Sequence, residues 1–217
     1  MQKFLLKPLK MTANLNLPSQ AECLELFKQY HTPANIIRHS LAVNKVANYL
    51  ASSIKKAGID INETLVDRAS LLHDLLRVCD IKNNLYTFND PQDLTVANKK
   101  IWQEQREKYK NQHHAEITAN LFKQQYPEMA EVIRKHRLSA VIKNQLVTWE
   151  EKIVYYADKR VNHDKFVSLE ERMSEGKKRW QIQKSQDYSK QIINAMERLE
   201  KEIFQLINKQ PDEINKL

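Results

Sequence analysis

Apolar residues recur every three or four positions along most of the chain, which is the spacing that places them on one face of an α-helix. Thr32-Pro33 is typical of a helix start, because threonine caps the first turn and proline suits the first helical position. Gly58 is a typical C-terminal stop signal. Between these signals, one stripe is formed by Ile36, His39, Val43, Val46 and Leu50. The pattern predicts a helix that ends near Lys56, with His39 facing the core.

Capping signals predict further helices in the same way. The capping box, a serine or threonine followed three residues later by glutamate, occurs at Ser19, Thr148 and Ser168. Asn62 can cap another helix, and Pro127 suits the first turn of a further one.

Two segments depart from this series of short helices. The stretch from Lys82 to Gln112 is polar and predicts a loop followed by a solvated helix around Ala97 to Tyr109. We expect this insertion to shape a substrate pocket. The last segment, Lys177 to Lys209, has the apolar seam of one long helix, and Pro211 ends it.

Together these elements predict an all-α fold in a single domain. Residues 1–18 would form an N-terminal extension, residues 19–176 the helical domain, and residues 177–217 a C-terminal helix packed on the domain or extending it. A chain of 217 residues is long enough to bury a substantial core. Its two glycines exclude glycine-rich phosphate loops, Rossmann fingerprints and turn-rich β-sandwiches.

Composition adds expectations about compartment and partners. Cys23 and Cys79 are too few for a disulfide framework, which favours a reduced, cytoplasmic compartment. No run of about 18 apolar residues predicts a membrane span, and Met1 to Lys10 lacks the features of a signal peptide. The net charge of +8 favours anionic partners such as nucleotides, nucleic acid or acidic proteins, although an ordinary solvated basic surface accounts for it equally well.

The candidate chemistry centres on His73-Asp74, an adjacent imidazole and carboxylate inside the apolar run Leu71–Leu76. Burying both groups is costly unless something binds them, and a divalent cation accepts both as ligands. Four more ligand-type residues lie on core-facing stripes of separate predicted helices: His39, His114, His136 and Asp158. A lone histidine in such a place is more often a hydrogen-bonded core residue, but six such groups would each need a partner. The set predicts a metal site built from facing helices.

The same residues carry a resemblance to a known family. In the order His39, His73-Asp74 and Asp158, the chain resembles the HD superfamily of metal-dependent phosphohydrolases. The context of each ligand also matches, in the segments His31-Thr32-Pro33, Ile36-Ile37-Arg38-His39-Ser40, Ala69-Ser70-Leu71-Leu72-His73-Asp74 and Tyr156-Ala157-Asp158-Lys159-Arg160-Val161. The resemblance covers roughly Tyr30 to Arg172. It implies an HD-type helical domain with one or two divalent ions, for which manganese, iron, nickel, zinc and magnesium are all compatible.

Some members of that superfamily, among them diadenosine polyphosphate hydrolases and certain cyclic dinucleotide phosphodiesterases, carry two more histidines between the doublet and the last aspartate. His114 and His136 are similar in placement, which implies a second metal position bridged by Asp74. His113 competes with His114 for this role, and the small residues Thr118-Ala119 at about the family's spacing favour His114. With one metal only, His114 and His136 would instead orient phosphate or donate a proton to the leaving group.

The chain departs from the family pattern after the doublet, where many members have Ile-Gly-Lys and this chain has Leu75-Leu76-Arg77. Arg77 keeps the positive charge and is able to hold a phosphate bidentately, while the missing glycine argues against close backbone approach to a substrate. Lys159 and Arg160 are further candidates for phosphate contact, although a solvated surface charge explains Lys159 at least as well. His163 and Asp164 are expected either at the surface or in contact with the ligands without binding the metal themselves.

The resemblance implies a phosphomonoesterase or phosphodiesterase that cleaves a phosphate ester or anhydride of a small anionic, nucleotide-like substrate. Hydroxide generated on the metal would attack phosphorus in line, with His73, Asp74 and Arg77 as catalytic residues. Two other classes stay open: a metal-containing sensor that binds a nucleotide without turnover, and an RNA-associated helical protein. The latter would use the basic face of the C-terminal segment, formed by Lys177, Lys178, Arg179, Lys184, Lys190 and Lys201. Glutamates interrupt that charge, so nucleic acid is the less favoured partner.

Overall fold

Helices dominate the chain, as the apolar periodicity predicts, and the all-α class is confirmed. The structure is a computed structural model that describes residues 17–81, 90–180 and 186–217. The α-helices of these residues are α1 (Gln20–Gln29), α2 (Ala34–Lys56), α3 (Glu63–Leu72), α4 (Val96–Lys108), α5 (His114–Phe122), α6 (Pro127–Arg134), α7 (Leu138–Ile142), α8 (Trp149–Lys159), α9 (Leu169–Trp180) and α10 (Gln186–Ile207). Short 3₁₀ turns span Arg77–Asp80, Pro91–Asp93 and Pro211–Lys216.

The core forms where α2, α3 and α8 pack against one another. Their apolar stripes meet there, and Leu50, Leu71 and Ile153 are each 0% exposed. α6 packs on α3 and α8, α5 packs on α6, and α10 lies against α2, α7 and α8. This packing brings the C-terminal ends of α3 and α6 beside α2 and α8. The residues that follow those two helices therefore lie in the middle of the molecule.

The predicted caps at Ser19, Asn62, Thr148 and Ser168 are confirmed, because each side chain accepts a hydrogen bond from a backbone amide of the first turn. The predicted start at Thr32-Pro33 is wrong by one residue, since α2 begins at Ala34 with no cap from the preceding side chain.

The first turn of α2 is capped from elsewhere in the chain. The hydroxyl of Thr32 donates to the carbonyl oxygen of Leu75 at 3.0 Å. The amide of Ala34 instead donates to Asp93 Oδ2 at 2.6 Å. A distant carboxylate thus replaces the local cap, and it ties the segment after residue 90 to the start of α2.

Two helices end earlier than their apolar stripes predict. α3 ends at Leu72, so His73 lies in the turn before the Arg77–Asp80 3₁₀ segment. α6 ends at Arg134, so His136 also lies in a turn. In both turns, a histidine Nδ1 donates to the carbonyl oxygen three residues earlier, at 2.7 Å and 2.6 Å. The side chains satisfy carbonyls that a continuing helix would have bonded through its backbone.

The predicted solvated helix in the insertion corresponds to α4, but this helix is anchored to the rest of the fold. Trp102 is 0% exposed, and its Nε1 donates to the carbonyl oxygen of His31 at 2.7 Å. Gln105 Nε2 donates to the carbonyl oxygen of Tyr30 at 2.9 Å. The loop residues 82–89 of the predicted insertion lie outside the described residues.

The single long C-terminal helix is a second correction. Residues 177–180 belong to the end of α9, and α10 is a separate helix that contacts α9, which one straight helix would not do. Residues 181–185 of this segment, which include Lys184 of the predicted basic face, lie outside the described residues, as do residues 1–16 of the predicted N-terminal extension. The side chains of Lys177, Lys178 and Arg179 are likewise not described.

A two-stranded antiparallel hairpin follows α8, and the apolar pattern gives no indication of it. β1 (Val161–Asn162) pairs with β2 (Lys165–Phe166), with Val161 opposite Phe166. His163 in its turn has a φ of 56°. Cys23 and Cys79 are free and buried. Within the described ranges, no helix combines the length and the apolar character needed to cross a membrane.

Candidate metal centre

Six imidazole and carboxylate side chains from five segments of the chain converge in one place. They are His39 in α2, His73 and Asp74 after α3, His114 at the start of α5, His136 after α6 and Asp158 near the end of α8. His73 is 0% exposed and His136 is 4% exposed, so the centre is almost closed to solvent. The structure brings together every residue that the sequence pattern predicts as a metal ligand.

The first cluster joins His39 and His73 to two carboxylates. His39 Nε2 lies 3.1 Å from Asp158 Oδ1 and 3.9 Å from Asp74 Oδ2. His73 Nε2 lies 3.7 Å from each of the same two oxygens. Atoms that share a cation at bond lengths of about 2.0–2.2 Å lie roughly this far apart. His39, His73 and Asp74 therefore have the spacing of a ligand set, and Asp158 Oδ1 lies close to both imidazoles.

The second cluster uses the other oxygen of Asp74. Asp74 Oδ1 lies 3.0 Å from His114 Nε2 and 3.5 Å from His136 Nε2. The two imidazole Nε2 atoms are 3.0 Å apart. One carboxylate thus presents Oδ2 to the first cluster and Oδ1 to the second. This is the arrangement expected of a carboxylate that bridges two cations.

All four imidazoles have the orientation that metal ligation requires. Each Nδ1 contacts an acceptor: the His163 carbonyl for His39 at 2.7 Å, the Ser70 carbonyl for His73 at 2.7 Å, the Ile133 carbonyl for His136 at 2.6 Å, and the Asp80 carboxylate for His114 at 2.7 Å. Carbonyls and carboxylates only accept hydrogen bonds, so the ring proton is assigned to Nδ1. Each Nε2 then presents its lone pair to the centre.

The donor set fits a divalent cation and leaves hydrogen bonds unmade without one. His73 Nε2 is fully buried and makes no hydrogen bond within the described residues. The Nε2 lone pairs of His114 and His136 face each other at 3.0 Å. Buried acceptors without donors are unfavourable, and cation binding satisfies all of them at once.

The charge states of Asp74, Asp158 and His136 also suit a cation. Burial would raise the pKa of Asp74, but the charges of His73 and His114, together with the hydrogen-bond contacts of His114 and His136, hold it well below its usual range. Burial likewise opposes ionisation of Asp158, yet Lys159 and His39 hold its pKa low. Burial lowers the pKa of His136 to about 4, so this imidazole is neutral near pH 7. Ionised carboxylates and neutral imidazoles are the forms that bind metals.

His113 lies at the rim of the centre and not among the converging atoms. Its Nδ1 accepts from the amide of Ala115 at 3.2 Å and so caps α5. Its side chain is 38% exposed. Between the two histidines that the sequence left open, the structure places His114 at the centre.

Two of the three predicted phosphate contacts lie at the centre. Arg77 forms an ion pair with Asp80, and its side chain is 37% exposed. Lys159 forms an ion pair with Asp158 Oδ2 and also lies over the ring of Tyr155. Lys159 follows Asp158 directly in the chain, and Arg77 Nη1 lies 3.1 Å from His114 Nδ1, so each cation lies beside a candidate ligand.

The expectation that Arg160 contacts phosphate is wrong, because its guanidinium is buried in the fold at 1% exposure. Nε donates to the carbonyl oxygen of Val167 at 2.7 Å and Nη1 to the hydroxyl of Tyr156 at 2.6 Å. Nη2 donates to the carbonyl oxygen of Pro211 at 3.0 Å. Arg160 therefore joins α8 to the hairpin and to the C-terminal 3₁₀ segment.

One functional residue has no counterpart among the sequence predictions. Asp80 accepts from both the amide and the Nδ1 of His114, at 3.0 Å and 2.7 Å. Its position six residues after Asp74, at the polar end of an apolar run, is the one signal that marks it in the sequence. The carbonyls of Ser70, His163 and Ile133 carry no sequence signal, because every residue has one.

Comparison with known proteins agrees with this geometry. The family model described as HD domain matches residues 36–163, which is more than half of the chain and includes all six converging residues. Searches of curated proteins and of solved structures find no match.

Proposed function

Because the chain belongs to the HD-domain family, whose members are generally metal-dependent hydrolases, we propose that it hydrolyses a phosphate ester or anhydride of a small nucleotide-like molecule. The observation that carries the proposal is the pair of donor clusters that share Asp74, with the unpartnered Nε2 of His73 beside them. A single structural histidine would need no such arrangement.

The ligand assignment follows from the two clusters. His39, His73, Asp74 and Asp158 would hold the first cation, and Asp74, His114 and His136 would hold the second. The chemistry supplied by divalent cations at such a pair of positions is Lewis acidity toward phosphoryl oxygens and a water of lowered pKa. The protein's own part is to fix the donor atoms in place, since each imidazole is oriented by an acceptor on its Nδ1.

Two cationic side chains support a phosphate-containing substrate. Arg77 follows Asp74 closely in the chain and is partly exposed, so its guanidinium is placed to hold phosphoryl oxygens. Lys159 offers an ammonium beside Asp158 as a point charge. The chain's net charge of +8 draws anions toward the protein in general. Together these features favour a nucleotide-like anion over a neutral substrate.

The test is a turnover screen of the full chain with manganese, nickel or magnesium. The substrates are nucleoside phosphates, dinucleoside polyphosphates, cyclic dinucleotides and an aryl phosphodiester. We expect hydrolysis of at least one class that requires added metal and stops with chelator. Arg77→Ala should raise KM about 10–100-fold, the value of a charge-assisted hydrogen bond of about 1.5–3 kcal/mol, and should lower kcat less.

The exposed carboxylate of Asp60 offers a matched control. Asp60 lies in the loop between α2 and α3, whereas His39 is near the start of α2 and His73 follows the end of α3, so Asp60→Asn should leave turnover unchanged. If fully metallated protein binds a nucleotide but hydrolyses none of these compounds, the enzyme assignment fails and a nucleotide sensor replaces it.

A further inference from the structure

Asp80 makes three contacts that converge on one face of the second cluster. It ends the 3₁₀ segment Arg77–Asp80, and its side chain is 18% exposed. Oδ2 accepts from the amide of His114 at 3.0 Å and from its Nδ1 at 2.7 Å. Oδ1 accepts from Arg77 Nη1. A carboxylate held by three donors is fixed in orientation, and it fixes the imidazole in turn.

Arg77 is a second possible hydrogen-bond partner for His114 Nδ1. Its Nη1 lies 3.1 Å from His114 Nδ1, close enough to donate to a lone pair on that atom. A guanidinium has no acceptor, so it favours the tautomer with its proton on Nε2. A carboxylate favours the opposite tautomer, because it accepts the proton of Nδ1. Asp80 and Arg77 thus favour opposite tautomers of the candidate ligand His114.

The tautomer matters because His114 Nε2 is the atom that faces the centre, 3.0 Å from Asp74 Oδ1 and 3.0 Å from His136 Nε2. A proton on Nε2 removes the lone pair that a cation needs. The shorter contact of Nδ1 is with Asp80, at 2.7 Å against 3.1 Å for Arg77. In the intact protein, His114 Nδ1 therefore donates its proton to the carboxylate of Asp80 in a hydrogen bond.

The same residues do not form a third cation site. Donor atoms of Asp80, His113 and His114 lie within 4.8 Å of one another. However, His113 Nδ1 already accepts from the amide of Ala115. Arg77 places a permanent positive charge against both Asp80 and His114. Arg77 would repel a metal cation bound at this point. The cluster therefore orients the candidate ligand His114 and does not itself bind a metal.

We propose that Asp80 is a positioning residue, which selects the Nδ1-protonated tautomer of His114 against the competing donor Arg77 and so creates the second cation position. The proposal rests on the two-cation site of the proposed function. It also assigns Arg77 a second property: without Asp80, this arginine would oppose metal binding.

The test measures manganese binding to the full chain by equilibrium dialysis, together with the ¹⁵N chemical shifts of the histidine rings in metal-free protein. The variants are Asp80→Ala, Arg77→Ala and Arg77→Ala/Asp80→Ala, with Asp60→Ala as an exposed-carboxylate control. We expect Asp80→Ala to lower the affinity for one of the two manganese equivalents roughly 10–100-fold, as loss of an orienting partner does. Arg77→Ala should retain both equivalents.

The double variant separates positioning from simple loss of structure. Removing Arg77 as well removes the competing donor, so Arg77→Ala/Asp80→Ala should bind the second equivalent more tightly than Asp80→Ala alone. Nδ1 of His114 should carry a proton in the parent and should lose it in Asp80→Ala, where Arg77 is left as the donor to that atom. Equal manganese binding in Asp80→Ala and the parent, or a double variant no better than Asp80→Ala, would overturn the proposal.

The ¹⁵N readout needs neither metal nor turnover. If the parent hydrolyses nothing but the His114 tautomer still changes as expected, the positioning role survives and the proposed reaction fails. An unchanged tautomer in Asp80→Ala contradicts the positioning role, whatever the activity of the protein.

Discussion

Asp74→Ala is expected to release both divalent cations and to lower turnover by at least about 100-fold. Loss of a partner that only orients a ligand already costs roughly 10–100-fold, and Asp74 supplies donor atoms to both clusters. Its Oδ2 faces the Nε2 atoms of His39 and His73, and its Oδ1 faces those of His114 and His136. The measurement is the metal-to-protein ratio by elemental analysis, alongside metal-dependent hydrolysis by the same preparation.

A comparison with His136→Ala makes this result specific to bridging. His136 contacts one oxygen of Asp74 and belongs to the second cluster alone, so its loss should release one equivalent and not two. If Asp74→Ala keeps the metal content of the parent, Asp74 is not a ligand. If it loses one equivalent only, Asp74 does not bridge.

Chelation is expected to lower the melting temperature by about 5–11 °C. A ligand present at 100 times its Kd stabilises the native state by about 2.7 kcal/mol, provided that the unfolded chain does not bind it. A domain of this length loses about 2–4 °C per kcal/mol. The physical reason lies in the five segments that meet at the centre, because a cation bound to all of them must be released before they separate. Thermal unfolding followed by circular dichroism, with and without EDTA, measures the shift.

Asp74→Ala again supplies the matched control, since its melting temperature should not respond to EDTA if the cations bind where we propose. Re-addition of manganese should restore the melting temperature of the parent and leave that of the variant unchanged. An equal response of both proteins to EDTA would place the stabilising metal elsewhere.

Periodicity and capping predict most helices because both signals are local. The boxes at Ser19, Thr148 and Ser168 act within one turn, and the structure contains all three. The end of α3 is not predictable in this way, since Leu75 and Leu76 continue the apolar run and are buried in the turn as fully as they would be in a helix. An apolar pattern reports burial, and burial does not end where a helix ends.

The site was predictable as a set of residue types and not as an arrangement. Imidazoles and carboxylates on buried stripes require partners, which identifies His39, Asp74 and Asp158 from the sequence. The acceptors on the imidazole Nδ1 atoms are mostly backbone carbonyls from turns, and no residue type marks them. The acceptor for His114 is the side chain of Asp80, but the sequence does not indicate this contact because His114 lies 34 residues further along the chain.

Arg160 shows why a charged residue next to a ligand is a weak indication of function. The sequence places it two residues after Asp158, where a phosphate contact is as reasonable as a surface position. Its acceptors are the carbonyl oxygens of Val167 and Pro211, together with Asn215 Oδ1. Whether an arginine is buried depends on acceptors contributed by such distant segments, so its burial follows from tertiary packing.

The central claim is that Asp74 bridges two divalent cations held by this chain. It is tested most directly by a crystal structure of the manganese-loaded protein with data recorded at a wavelength where manganese scatters anomalously. The account predicts two anomalous peaks about 3.5–4 Å apart, one on each side of the Asp74 carboxylate. The first peak should lie within bonding distance of His39 and His73, and the second within bonding distance of His114 and His136. A single peak, or peaks that do not contact Asp74, would contradict the claim.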